Sequence, residues 1–125
     1  MAAWKGKVEN VAITSDTAQT LVTISIREGA SVLWAEIDNN GPSALDEFNV
    51  QVSVNSDSFH TIATVASDYT TIVYPLLGAI TPIITLASDS KASLAMEVRA
   101  LNEVRFSASA LYASDTTVSV YWRVR

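Results

Sequence analysis

Residues 48–54 read Phe-Asn-Val-Gln-Val-Ser-Val, so that Phe48, Val50, Val52 and Val54 alternate with Asn49, Gln51 and Ser53. A period of two is the mark of a strand with one face on a core and the other toward water or a partner. Turn formers follow at 55–58, and 59–65 returns as a second strand, which predicts a central hairpin. The same reading puts a short strand at 11–13. It pairs two more, 20–26 and 31–37, as a hairpin around Arg27 to Ala30. Further alternation at 94–98, 104–110 and 116–125 completes seven or eight strands, rich in the Val, Ile and Thr that sheets select. The pattern predicts an all-β fold, an antiparallel β-sandwich or a jelly-roll-like arrangement. Residues 1–10 are expected as an N-terminal arm and 11–125 as a single sandwich domain.

The longest departure from this rhythm is 66–93, where Tyr69, Tyr74, Leu76 and Leu77 mix with Pro75, Pro82 and small polar residues. It reads as a long connection holding short extended pieces, the kind of segment that is functional or shared between subunits. The tripeptide Ala-Ser-Asp occurs at 66–68, 87–89 and 113–115, too unevenly spaced for a solenoid; its Ser and Asp suit strand exits.

Composition narrows the classes. With 125 residues the chain is one domain in length and large enough to bury roughly two thirds of its unfolded surface. It holds no cysteine, which removes disulfides and thiolate metal sites and leaves the redox compartment open. The first ten residues lack the apolar run of a signal peptide, and 76–87 is broken by Gly78 and Pro82, so neither secretion nor a membrane span is expected.

The net charge of −5 is unevenly spread. Residues 1–7 carry Lys5 and Lys7 and no acid, 8–90 hold Arg27 alone against ten acids, and 91–125 hold five bases against three acids. An acidic body with basic ends argues against a duplex-binding surface, where phosphates must be neutralised. It fits docking on an acidic partner or on another copy of the same body.

Candidate chemistry is sparse. The only histidine, His60, stands in a predicted strand next to Phe59 as the single base for many serines, and the four glycines lie too far apart for a phosphate-cradling loop. The cluster Asp-Asn-Asn-Gly-Pro-Ser at 38–43 is oxygen-rich but fails the EF-hand spacing, since Ser43 falls where glycine is required and Asn49 where glutamate is. Asp46 and Glu47 adjoin in a strand and so point to opposite faces. No enzyme, metal or cofactor is expected.

The runs Ser-Ala-Leu-Asp-Glu-Phe-Asn-Val-Gln-Val (43–52), Phe-His-Thr-Ile-Ala (59–63), Ala-Ser-Asp-Tyr-Thr (66–70) and Met-Glu-Val-Arg-Ala-Leu-Asn-Glu-Val-Arg-Phe-Ser-Ala-Ser (96–109) resemble a group of small tailed-bacteriophage virion structural proteins. The similarity spans 43–125 and carries no catalytic signature. It implies a virion β-sandwich, foremost a capsid decoration or cement protein on the capsid surface, made in the host cytoplasm. The long 66–93 connection and the aromatic-bearing ends predict a homo-oligomer, foremost a homotrimer, with the major capsid protein as the other partner and no nucleic acid or membrane. A carbohydrate-binding module that touches host glycans is the alternative, with Trp34, Tyr69, Tyr74 and Tyr112 as stacking platforms; a neck or tail component is another. The candidate interface is Trp4, Lys5, Lys7, Tyr69, Tyr74, Tyr121, Trp122, Arg123 and Arg125, because each chain end joins an aromatic anchor to cations.

Overall fold

The computed structural model describes residues 4–55, 57–66, 70–72, 78–81, 87–110 and 114–125. Ten strands run through them: β1 (Trp4–Ile13), β2 (Gln19–Ser25), β3 (Val32–Asn39), β4 (Leu45–Ser53), β5 (His60–Ala66), β6 (Thr70–Ile72), β7 (Gly78–Thr81), β8 (Ser90–Glu97), β9 (Glu103–Ala110) and β10 (Thr116–Val124). They form a front sheet in the order β1-β10-β3-β8-β7 and a back sheet in the order β2-β9-β4-β5-β6, paired antiparallel throughout. Short β6 and β7 are edge pieces inside the long connection. Without them the orders are 1-10-3-8 and 2-9-4-5, the double Greek key of a jelly roll.

The core lies between the sheets. Leu33, Ala35 and Ile37 of β3 and Leu94 and Met96 of β8 face it from the front, and Phe48, Val50, Val104 and Phe106 from the back, all essentially without exposure. The rings of Phe48 and Phe106 stack at 5.7 Å between centroids. Each offers a large apolar area to the most shielded layer.

The central hairpin forms as the alternation predicts, with β4 paired to β5. Its inward row is shorter than the sequence implies. Phe48 and Val50 are buried, Val52 is half-buried, and Val54 is 67% exposed beyond the end of β4. Val52 still packs on the core, opposite buried Val104 of β9, and Val54 lies past the last paired residue, Ser53.

Two expectations are corrected. Segments 20–26 and 31–37 are not a hairpin, because β2 pairs with β9 in the back sheet while β3 lies between β10 and β8 in the front. A turn closed by Ala30 N–H to the Arg27 carbonyl (3.1 Å) and by Gly29 at φ 88° carries the chain across the sandwich. Residues 4–10, expected as an arm, are the first part of edge strand β1, and 11–13 is its far end beyond a bulge at Asn10, whose φ is 55°. Trp4, Gly6 and Val8 are half-buried while Lys5, Lys7 and Glu9 are exposed, so the segment alternates like any strand. Gly6 hides the period, because its inward position is filled by the ring of Trp122.

Candidate functional site

Pairing of β1 with β10 sets the two basic ends of the sequence side by side: Trp4 lies opposite Val124, Lys5 opposite Arg123, Gly6 opposite Trp122 and Lys7 opposite Tyr121. On the other side of β10, Arg123 lies opposite Trp34 and Tyr121 opposite Glu36. Register and alternation together put Lys5, Lys7, Tyr121, Arg123, Trp34 and Glu36 on one outer surface of the front sheet. The strand parity of Arg125 adds it at the margin. Of the interface residues expected from sequence, Tyr69 and Tyr74 lie outside the described residues, as does Tyr112.

Trp4 and Trp122 turn the other way. Neighbouring strand residues point to opposite faces, so the cations beside each tryptophan go outward while its ring packs on the core. Trp4 is covered by the guanidinium of Arg27, 4.7 Å from the ring centroid. The exposed aromatic of the surface is Trp34, at 46%. It stands between two shallow hollows, one lined by Gly29, Ser31, Val32 and Arg125, the other by Gly6, Glu36, Ser93 and Tyr121, with Arg123 reaching both. Sequence reasoning placed Trp34 only as a sugar platform. Its part in the cationic surface depends on the pairing of β3 with β10, which no local pattern reveals.

The charges divide into paired and unpaired. Lys7 meets Glu9 at 2.8 Å, and the Tyr121 hydroxyl donates to the same carboxylate at 3.5 Å. The hydrogen bond and the opposite charge raise Lys7 and lower Glu9 from their ordinary values. Lys91 lies 3.7 Å from Asp38. Glu36 is raised from its ordinary value, first by partial desolvation beside its neighbours and then by the charge of Asp38 two residues on. Lys5, Arg123 and Arg125 make no ion pair among the described residues.

On the outer side of the back sheet, several described polar side chains bond to one another. Arg105 Nε donates to Gln51 Oε1 (2.9 Å) beneath the Phe59 ring, and Thr64 donates to buried Asn49 (2.7 Å). His60 is exposed at the start of β5. Among the described residues no three His, Cys, Asp or Glu side chains come together. In the 38–43 turn, Asn39 Oδ1 accepts from Gly41 N–H (3.3 Å) and the Thr116 hydroxyl (2.7 Å), while its amide donates to the carbonyls of Ser43 (2.8 Å) and Ala87 (3.1 Å). The oxygen-rich cluster is thus a tie between loops.

No protein-family model and no curated protein sequence matches the chain. Solved structures do match it in fold. The SPBc2 prophage-derived protein YomS aligns over 100% of this chain and 96% of its own, with a TM-score of 0.57 and 13% identity. A chain from the structure of infectious bursal disease virus Gx strain aligns over 98% of this chain, with a TM-score of 0.51 and 9% identity. This chain spans about a third (32%) of that viral chain. At such identities the likeness is one of fold, and the class it defines is the antiparallel jelly roll.

Proposed function

We propose that the protein is a non-enzymatic structural component of a phage particle, a decoration or cement protein that binds the outer shell as a homo-oligomer. The observation that carries the reading is the outer surface of the front sheet. An exposed tryptophan set among three unpaired cations has no internal use, and Trp, Tyr and Arg are the residues that dominate protein interfaces. The sequence resemblance over 43–125 supports a virion setting, and a fold shared with a prophage-derived protein agrees with it. A decoration protein needs a broad adhesive surface, no cofactor, and affinity gained from many copies binding at once.

Trp34 also favours a second reading, a glycan-binding module, because an exposed indole beside Glu36, Tyr121 and Arg123 is a stacking platform with polar groups at its rim. Quantitative mass spectrometry of purified particles separates the two. A decoration protein is recovered in a copy number matching the shell symmetry, and a glycan-binding fibre or neck component in a few copies per particle. Absence from the particle overturns both.

A further inference from the structure

The unpaired cations gather at one end of the molecule, where Glu28, Asp57 and Glu103 also lie, and the other end holds carboxylates without a free base among the described residues. Lys5, Arg123 and Arg125 lie where β1 begins and β10 ends, beside Trp34 near the start of β3. At the other end of the same strands Ile13 pairs with Thr116 and Asn39 with Ser90, and the loops there are bound together: Ala110 N–H donates to Ser15 O (2.8 Å) and Ser88 Oγ to Gly41 O (2.7 Å). These loops carry Asp16, Asp89 and Asp115, all exposed, with Asp46 at the head of β4. No Lys or Arg occurs in residues 10–26, 39–90 or 106–122. Lys91, just inside β8, is already paired with Asp38. A cationic, aromatic surface and an acidic pole are thus separated by the strand length, roughly 30 Å for ten residues.

We infer that the Trp34 surface docks onto the acidic loop pole of a second copy of this chain, head to tail. This deepens the oligomer of the proposed function and rests on that reading for its setting in a particle. Charge complementarity selects the occupant: the chain's own pole presents four carboxylates and no free cation to a surface of three free cations. A two-fold pairing of two such surfaces would set three free cations against three more, which charge repulsion disfavours. The contact is heterologous, which closes into a ring such as a trimer or runs on as a filament. Trp34 is its apolar anchor and the cations set its register.

Analytical ultracentrifugation of the full chain tests this with a complementary pair. One variant reverses the surface (Lys5→Glu, Arg123→Glu, Arg125→Glu). The other reverses the pole (Asp16→Lys, Asp115→Lys, with Asp89→Asn because φ there is 59°, which asparagine tolerates). The wild type associates at low salt and loses about tenfold or more in association constant at high salt, a readout that needs no variant. Each variant alone is monomeric, and an equimolar mixture associates again. Trp34→Ala weakens wild-type association about thirtyfold while the melting curve stays put. A wild type still monomeric at low salt and millimolar concentration overturns the inference, and if it then binds particles through this surface, the shell is the occupant and the virion reading stands. A pole-reversed variant that associates as the wild type does also overturns it. Head-to-tail association of a chain absent from particles keeps the inference and sinks the virion reading.

Discussion

Gly6 faces the indole of Trp122 across the β1–β10 pair, and a Cβ there would lie 2.6 Å from Cε2 of that ring. Gly6→Ala should cost about 1–3 kcal/mol in denaturant unfolding or push Trp122 outward, seen as a red-shifted fluorescence. Gly41 is more constrained, since its Cβ would meet the Thr116 and Thr117 backbone, with Thr116 Cα at 2.9 Å. Asn39 is 1% exposed and holds the adjoining loops through both ends of its amide. Asn39→Leu should cost about 2–4 kcal/mol, because it strands buried partners without relieving their desolvation. Composition marked 38–43 as a turn, but which oxygens it satisfies depends on Ala87 and Thr116, far away in sequence. Glu36 gives a pH signature. Its folded carboxyl holds a proton to higher pH than the unfolded one, so the folded state binds more protons in that window, and stability falls as pH rises from the ordinary carboxyl range through the raised value. Glu36→Gln should flatten that part of the profile of melting temperature against pH, by a small amount because the group is exposed.

At the scale of elements, β4 shows how far alternation reaches. It gives the inward row at Phe48, Val50 and Val52 and fails at Val54, which lies past the end of the paired strand. Val50→Asp should therefore unfold the domain, at several kcal/mol for an unpaired charge beside Phe106. Gln51→Asp, on the outer face, should be mild. Equal melting curves for the two would refute the assigned facing. Partner choice was less legible than period. The alternation of 20–26 and 31–37 is genuine, yet the two strands lie in different sheets, since a jelly roll sends successive strands across the sandwich. Strand β1 was hidden for another reason: a glycine and two lysines look like a loose end until Trp122 is seen filling the gap.

Over the whole molecule, the sequence carried the charge asymmetry and the resemblance to virion proteins. Folding turns the asymmetry into geometry, joining the two basic ends of the chain into one surface and gathering the loops of Asp16, Asp89 and Asp115 at the opposite pole. The tryptophan that completes that surface comes from β3. A surface of this kind suits the multivalent attachment proposed above, in which copies held to one another would gain on a shell what single contacts lack. On the proposed virion reading, cosedimentation of the purified chain with phage particles is the most direct test. Wild type should pellet with particles and release as salt rises, and the chain carrying Lys5→Glu, Arg123→Glu and Arg125→Glu, folded by circular dichroism, should stay in the supernatant. If that variant pellets as tightly as wild type, with no response to salt, the front-sheet surface is not the attachment surface and the account fails.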